Sequence, residues 1–361
     1  MGKLSTIQNQ PRKSFAYYTI IVVKSAMEDF PLAELHAHLG SSINPSIYWQ
    51  IAHAQGFKLP KRDYKEFIDY IMLSPQKRTT LKEYMDKIYH PLLDKLSSGT
   101  YAVEKATYEI LSGAYRSNSI TLLELRNNPM KHNHEGQEDL DHIIMAMLRG
   151  MERALLEYEN LSAGLIFCLA REFSYEKNKI IVEKAIKYRK RGVVGIDFAG
   201  PANKNFHFKD YRELVRKAKK AGLKVTSHSG EAKEANDMWE AIEFVSPNRI
   251  GHGILAAYDK KLMKELAKRN TVLEICPLSN IVTRAVKNVE ELKFILRTFV
   301  ENKVKFCINS DWPETIESGH LWQQFEFLRK NKILTEEELK KCNETAFESS
   351  FVPGIGLNAY L

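Results

Sequence analysis

The chain has 361 residues, of which 44% are apolar and 27% are charged, a composition typical of a globular protein with one large domain or two small ones. The formal net charge is +8, but the basic residues are spread along predicted helix faces such as 184–191. This spread argues against a nucleic-acid-binding stripe, so no nucleic-acid partner is expected.

At the N-terminus, residues 15–23 (FAYYTIIVV) form an apolar run that is too short to span a bilayer. No small-residue cleavage site follows this run, although the core of a signal peptide is the alternative interpretation. We expect an N-terminal segment, residues 1–28, that packs along a single domain, residues 29–361. No membrane partner is expected.

The four cysteines include no CxxC pair, and Cys168, Cys276 and Cys307 lie in apolar runs. A disulfide framework is therefore not expected. We predict reduced, buried thiols and a cytoplasmic protein.

Eight short apolar runs alternate with helical patterns along the chain. The runs are residues 31–39, 120–126, 163–170, 192–200, 222–230, 248–253, 271–279 and 304–311. Continuous apolar runs suit parallel strands that are buried on both faces. Residues 175–191 and 208–222 show helical patterns between runs, and 336–351 is expected to form a closing helix. Eight strands, each followed by a helix, predict an α/β fold of the TIM (β/α)8 barrel type.

A long insertion, about residues 40–119, separates the first two strands and contains helical patterns at 46–57 and 81–96. Connections of this length at the catalytic end of a barrel are usually functional. We expect this insertion to form a lid or a wall of the pocket.

Five polar side chains stand at the predicted carboxyl ends of four strands, where a barrel of this type carries its chemistry. They are His36, His38, His228, His252 and Asp311. His36 and His38 are two residues apart on a strand, so they point to the same side and can bind one ion. Imidazole nitrogens with a single carboxylate are typical of a catalytic zinc site with an open position for water, and they also accept other divalent ions.

Each of these residues also has an ordinary structural explanation. An HxH pair often occurs by chance on a solvent face, a loop histidine is often internally hydrogen-bonded, and Asp311 is placed to cap the next helix. The coincidence of five metal-compatible groups at four strand ends favours the metal site. The other histidines are predicted to be structural or surface residues: His53, His90, His132, His134, His142, His207 and His320.

Glu231 follows His228 by three residues and opens a predicted helical stretch at the same end of the barrel. A carboxylate at this position either stabilises a helix N-terminus or, beside water on a metal, moves a proton to a leaving group. We treat Glu231 as a candidate catalytic residue.

Several short motifs together resemble the signatures of the adenosine deaminase family of metal-dependent aminohydrolases. ELHAHL, SHSGEA, RIGHG, CPLSN and NSDWP occur in this order and correspond to the HxH, HAGE, GHG, CPxSN and (S/T)DDP signatures of that family. IDFAG and LELRNNP match two further stretches, and the resemblance runs from about residue 30 to 351. It implies a zinc-dependent barrel enzyme that replaces the 6-amino group of a purine by oxygen.

The resemblance also implies a role for each candidate residue. The implied zinc ligands are His36, His38, His228 and Asp311. Asp311 would also orient the attacking water, and His252 would stabilise the hydroxide and help to form it. Glu231 would deliver a proton to ring N1 as the hydroxide attacks C6. Gly200 would offer its backbone N–H to purine N3.

Two positions depart from the family pattern. Trp312 replaces the second aspartate of the (S/T)DDP signature, which meets purine N7 in the family, and Gly40 replaces an acid or amide that meets a sugar hydroxyl. We expect Trp312 to stack on or beside the substrate ring. We expect Gly40 to leave room and N–H groups, with those of Ser41 and Ser42, for a larger or charged 5′ substituent. The alternative is that Trp312 turns away and plain adenosine still fits.

The expected partner is a small-molecule purine nucleoside, either adenosine or a 5′-modified or phosphorylated adenosine. Three other functions are alternatives to this one.

The first is hydrolysis of another amino-substituted heterocycle, such as a pterin, a free base or a non-purine nucleoside, which Trp312 favours. The complete ligand set with Glu231 and His252 argues against a non-catalytic, metal-binding pseudoenzyme. An insertion that roofs the pocket argues against deamination of a nucleic-acid strand.

Overall fold

The structure is a computed structural model that describes residues 30–74, 81–133, 139–201, 203–231 and 237–354. The predicted N-terminal segment, residues 1–28, lies outside these ranges. Within them, every helix is either too short or too polar to cross a membrane.

Eight parallel strands form a single sheet in which each strand pairs with the next one along the chain. The strands are β1 (Leu32–His38), β2 (Ile120–Asn127), β3 (Ser162–Ala170), β4 (Val193–Ala199), β5 (Lys224–Ser229), β6 (Arg249–His252), β7 (Val272–Ile275) and β8 (Phe306–Ile308). The sheet closes where Ala37 of β1 pairs with Asp311, just beyond β8. There the Asp311 amide donates to the His36 carbonyl at 2.8 Å, and the His38 amide donates to the Asp311 carbonyl at 3.2 Å. The predicted TIM (β/α)8 barrel is confirmed.

Each of the eight apolar runs contains a strand, but β7 and β8 end several residues before their runs do, at Ile275 and Ile308. Pro277 begins a helix, because proline has no N–H to pair and its fixed φ suits the first helical position, so β7 stops at Ile275. β8 has only three residues, and Asn309 and Ser310 separate it from Asp311.

Helices follow the strands and pack on the outside of the barrel. The α-helices are α1 (Pro45–Ala54), α2 (Tyr64–Ile71), α3 (Leu81–Tyr84), α4 (Asp94–Leu96), α5 (Thr100–Asn118), α6 (Asp141–Glu157), α7 (Tyr175–Tyr188), α8 (Arg212–Lys220), α9 (Met238–Phe244), α10 (Lys260–Arg269), α11 (Pro277–Val282), α12 (Val289–Glu301), α13 (Leu321–Lys330) and α14 (Glu336–Ser349). Short 3-10 helices are Arg189–Arg191, Phe208–Tyr211 and Ile254–Tyr258. The predicted helices at 175–191, 208–222 and 336–351 correspond to α7, α8 and α14.

The insertion between β1 and β2 carries α1 to α5 and a π-helix, Met85–Leu93, that links α3 to α4. Hydrogen bonds tie this insertion to the segment that follows Trp312. The Leu73 amide donates to the Thr315 carbonyl at 2.7 Å, and the Glu317 amide donates to the Leu73 carbonyl at 2.8 Å. The insertion is therefore joined to the same segment that carries Asp311.

Apolar side chains fill the barrel at the end opposite the polar strand ends. This interior cluster contains Ala33, Leu35, Leu122, Val272, Cys307, Ala346 and Phe347. Because Ala346 and Phe347 belong to α14, the last helix closes this end of the barrel. All four cysteines are buried and free, as predicted.

Candidate active site

Four of the predicted ligands meet at the carboxyl end of the barrel. Nε2 of His228 lies 3.1 Å from Nε2 of His36 and 3.1 Å from Nε2 of His38. Oδ1 of Asp311 lies 3.6 Å from Nε2 of His36 and 3.4 Å from Nε2 of His38. Residues from β1, β5 and the segment after β8 therefore aim four ligand atoms at one point.

Hydrogen bonds at Nδ1 set the tautomers of His36 and His228. Nδ1–H of His36 donates to Oε2 of Glu274 at 2.7 Å, and Nδ1–H of His228 pairs with Oδ2 of Asp197 at 2.9 Å. In the neutral rings both Nε2 atoms then carry lone pairs, which face each other at 3.1 Å. Such lone pairs repel unless a cation lies between them, so the donor set fits a divalent ion such as zinc.

Asp311 provides a second indication that these residues fit a cation. Its Oδ2 accepts a hydrogen bond from Ser279 Oγ at 2.6 Å, whereas its Oδ1 is enclosed and has no partner. Burial raises the pKa of this carboxyl, which reflects an uncompensated charge. Asp311 also has a φ of 63°, a conformation that non-glycine residues rarely adopt and that surrounding contacts must hold.

The environment of His36 and His38 favours the neutral form, which is the form that binds metal. Burial, and then the charge of Arg126, hold the pKa of His36 well below its ordinary value. Burial and His228 do the same for the pKa of His38. Burial opposes the charged form of His228 too, but Asp197 raises its pKa and so makes its free nitrogen more basic. Neutral, basic imidazoles are the better metal ligands.

Two buried carboxylates, Asp197 on β4 and Glu274 on β7, orient the ligands and were not predicted. Arg126 joins them, with Nη1 at 3.0 Å from Asp197 Oδ2 and Nη2 at 2.8 Å from Glu274 Oε2. Burial alone would raise the pKa of Asp197, but His228 and Arg126 hold it well below its ordinary value. The signal was present in the sequence, because an acid within an otherwise apolar strand needs a buried partner.

A second ion pair lies deeper among the strands and involves Arg249 on β6. Its Nε lies 2.6 Å from Glu274 Oε1, and its Nη2 lies 2.5 Å from Glu124 Oε2. The same side chain donates to the Ser349 carbonyl of α14 at 2.7 Å. Arg249 therefore links β2, β6, β7 and the last helix.

His252 and Glu231, the two candidate proton carriers, stand next to the ligand cluster. Oε2 of Glu231 lies 3.7 Å from Nε2 of His252. Asn280 Nδ2 donates to Nδ1 of His252 at 2.9 Å, so in this arrangement the neutral ring carries its proton on Nε2. His252 has a φ of 61°. Glu231 itself lies outside any helix, and residues 232–236, where the predicted helix begins, lie outside the described residues.

Arg171 fixes the loop that carries Glu231. Its guanidinium pairs with Asp237 Oδ2 at 2.6 Å and donates to the His228 carbonyl. Asp237 Oδ1 in turn accepts from the Gly230 amide at 3.2 Å. Glu231 therefore follows two residues whose backbone is anchored.

A cavity of about 710 Å³ opens above these residues, and this volume suits a small molecule. The insertion supplies one wall through residues such as Lys82, Met85 and Tyr89, as predicted. Gly200 lines the cavity just after β4 with a φ of 97°. Its amide N–H makes no backbone hydrogen bond within the described chain.

The remaining predicted substrate contacts differ in where they lie. Trp312 and Gly40 line the cavity, but Ser41 does not. Ser41 is buried, and its Oγ donates to the carbonyls of His38 and Asp311 at 3.2 Å each. The Ser42 amide donates to the His38 carbonyl at 3.0 Å. Both serines thus brace the loop after β1.

Tyr89 of the π-helix occupies the space beside Gly40 that we expected to find open. A Cβ added at Gly40 would lie 2.5 Å from the Tyr89 hydroxyl oxygen. His90 and His132, predicted as structural or surface residues, also line the cavity. The sequence held no signal for these contacts, because they depend on how the insertion docks on the barrel.

Comparisons with known proteins agree with this geometry. The sequence profile of a family described as "Adenosine deaminase" matches residues 31–358. An adenosine deaminase of Clostridium kluyveri is 30% identical over 328 residues, which are 91% of this chain and 91% of that protein.

Two solved structures show the same fold. An adenine deaminase from Arthrobacter aurescens has a TM-score of 0.77 and 24% identity, over 90% of this chain and 94% of that one. The apo N6-methyl-AMP deaminase from Arabidopsis thaliana has a TM-score of 0.75 and 22% identity, over 91% of this chain and 94% of that one. The chain belongs to the adenosine deaminase family and is an adenosine deaminase-like aminohydrolase.

Proposed function

We propose that this chain catalyses the zinc-dependent hydrolytic deamination of the 6-amino group of an adenine nucleoside, giving the inosine-type product and ammonia. The nucleoside is adenosine or a 5′-modified or phosphorylated adenosine. The observation that carries the proposal is that Glu231 and His252 stand beside four ligand atoms that converge on one point. A binding protein has no physical need for a proton donor at this position.

In this proposal His36, His38, His228 and Asp311 hold the ion. When bound, zinc supplies the Lewis acidity that lowers the pKa of water to about 7, so that hydroxide is available at neutral pH. The buried Arg126, Asp197 and Glu274 keep the histidines in their ligand orientation.

The remaining residues handle protons and orient the ring. Glu231 gives a proton to ring N1 while the oxygen of water bonds to C6. Of the two protons that the water loses, one returns to Glu231 and the other joins the 6-amino group, which leaves as ammonia when the C6–N bond breaks. His252 holds its proton on Nε2, where it hydrogen-bonds the incoming oxygen. Gly200 offers its free amide N–H to ring N3. The free, buried thiols suit the reducing cytoplasm, where we propose that the protein acts.

The test is release of ammonia by the zinc-loaded protein from adenosine, AMP, N6-methyl-AMP and 5′-substituted adenosines. We expect turnover of at least one of these compounds, loss of turnover on chelation and its return with zinc. Glu231→Gln should lower kcat by about 10²–10⁴-fold, the usual contribution of a general acid. The matched control is Glu243→Gln, which changes an exposed acid on α9 and should leave kcat unchanged.

Two results would contradict the proposal. One is that the zinc-loaded protein releases ammonia from none of the adenine nucleosides. The other is that Glu231→Gln turns over as fast as the unchanged chain.

A second candidate function is hydrolysis of another amino-substituted heterocycle, such as a pterin or a free base. Trp312 favours it, because this aromatic residue stands where the resemblance implies an acid that reads the purine. Including adenine and a pterin in the same screen separates the two functions. Turnover of these compounds alone would replace the nucleoside by a different ring as the substrate.

A further inference from the structure

Arg171, directly after β3, and Asp237, directly before α9, form an ion pair that we call the Arg171–Asp237 bridge. Nη2 of Arg171 lies 2.6 Å from Oδ2 of Asp237, and the two side chains are only 8% and 17% exposed. The guanidinium of Arg171 also lies 5.5 Å from the ring centres of Phe206 and Phe208. Because the pair is largely enclosed, salt and water screen it little.

The bridge is hydrogen-bonded to the backbone on the N-terminal side of Glu231. Nη2 of Arg171 donates to the His228 carbonyl, and Oδ1 of Asp237 accepts from the Gly230 amide at 3.2 Å. Asp237 therefore uses one carboxylate oxygen for Arg171 and the other for the residue that precedes Glu231. A side chain of β3 thus determines where the backbone of Glu231 begins.

The two backbone contacts lead to different parts of the site. The His228 imidazole has a support of its own, because its Nδ1 pairs with Asp197 Oδ2 at 2.9 Å. The Glu231 carboxylate has no hydrogen-bond partner among the described residues, and its Oε2 lies 3.7 Å from His252 Nε2. The place of this carboxylate therefore depends on its backbone, and hence on Asp237, more than the place of the His228 ring does.

We infer that Arg171 and Asp237 are positioning residues that hold Glu231 in place for proton transfer. This inference rests on the proposed function, in which Glu231 gives a proton to ring N1. Proton transfer needs donor and acceptor atoms about 2.6–3.2 Å apart. A displacement of about 1 Å can therefore lower the rate by about 10²-fold, even when it originates away from the reacting atoms.

The first variant is Asp237→Asn, which keeps the size of the side chain but has one oxygen acceptor where the carboxylate has two. It therefore loses either the contact with Arg171 or the contact with the Gly230 amide. We expect kcat to fall about 10- to 100-fold, with no change in zinc affinity, because Asp197 still supports His228. Glu243→Gln, which changes an exposed acid on α9, is the matched control and should keep kcat.

The decisive readout is the effect of the same substitution in the Glu231→Gln background. Residues that act as a unit have non-additive effects, so Asp237→Asn should lower kcat no further once Glu231 is replaced. A purely structural role of the bridge would instead lower kcat by the same factor in both backgrounds. Arg171→Met removes the other half of the bridge and should behave like Asp237→Asn, and it carries the test if Asp237→Asn fails to fold.

The outcomes separate this inference from the proposed function. The inference is wrong and the proposed function stands if both variants turn over as fast as the unchanged chain, if they lose zinc affinity, or if their effect is unchanged in the Glu231→Gln background. If no nucleoside is deaminated, the proposed function fails, and crystal structures of the unchanged chain and of Asp237→Asn decide instead. A Glu231 carboxylate that keeps its place beside His252 in Asp237→Asn would overturn the inference, and a displaced carboxylate would support it.

Discussion

At the residue scale, the metal site depends as much on the carboxylates behind the histidines as on the histidines themselves. Asp197 and Glu274 each accept a hydrogen bond from the Nδ1–H of one ligand, which leaves the Nε2 lone pair of that ring for the ion. Ser279 does the equivalent for Asp311 by binding one carboxylate oxygen and leaving the other free. These hydrogen bonds fix the orientation of the three side chains as ligands.

Asp197→Asn should weaken zinc binding by about 10- to 100-fold, because the amide keeps the shape of the side chain but no longer raises the basicity of His228. The measurement is a competition titration of zinc against a chelator of known affinity. Asp210→Asn is the control, since Asp210 is exposed on a 3-10 helix away from the cavity. Equal affinities for Asp197→Asn and the unchanged chain would show that His228 needs no carboxylate.

At the element scale, the π-helix Met85–Leu93 and the loop after β1 fit together at a single point. The Tyr89 hydroxyl lies where a side chain at position 40 would stand. On the other side of the loop, Tyr48 of α1 donates to the Gly40 carbonyl. Gly40 is therefore required by the packing of the insertion, not by a conformation that only glycine adopts.

Gly40→Ala should lower kcat/KM about tenfold, because its methyl group must displace Tyr89, whose ring stacks on that of Trp312 in the cavity wall. Tyr89→Phe removes the hydroxyl oxygen that lies closest to the added methyl group. Gly40→Ala should therefore lower kcat/KM less in the Tyr89→Phe background than in the unchanged chain. A double-mutant cycle measures this coupling. The control is Gly113→Ala in α5, where an added Cβ meets nothing within 4 Å. Additive effects of the two substitutions would mean that Gly40 and Tyr89 act independently.

At the scale of the whole molecule, the guanidinium group of Arg249 links strands β2, β6 and β7 to the last helix, α14. It pairs with Glu274 and Glu124 and binds the Ser349 carbonyl, and its guanidinium lies 3.5 Å from the centre of the Phe351 ring. None of its partners is near in sequence. Its loss would leave Glu124 without its cation inside the barrel and Glu274 with Arg126 alone.

Arg249→Met should lower the free energy of unfolding by about 3–5 kcal/mol, the usual cost of removing one partner of a buried ion pair. Denaturant unfolding of the metal-free protein measures this change without a contribution from zinc. Arg216→Met on α8 is the matched control, because its side chain is exposed and its ion pair with Glu213 contributes about 0–1 kcal/mol. An unchanged midpoint for Arg249→Met would show that its partners are compensated in another way.

The barrel and the ligand set could be predicted from the sequence, because both depend on local patterns. Apolar runs mark the strands, and His36, His38, His228, His252 and Asp311 stand where those runs end. The position of a polar residue at a strand end is therefore enough to place it at the mouth of the barrel.

The substrate side of the cavity could not be predicted in the same way. Tyr89 reaches Gly40 across 49 residues of insertion, and Ser41 turns to the carbonyls of His38 and Asp311. These contacts follow from the docking of helices on the barrel, which periodicity does not encode. Asp197 and Glu274 are an intermediate case, since a lone acid in an apolar strand signals a buried partner but does not identify it.

The backbone hydrogen bonds that join Leu73 to Thr315 and Glu317 restrict how substrate and product can enter and leave the cavity. They hold the insertion at Leu73 against the stretch of chain that presents Asp311. An outward movement of the insertion at this point would therefore also displace a ligand. We therefore expect reactant and product to pass along an edge of the mouth away from Leu73.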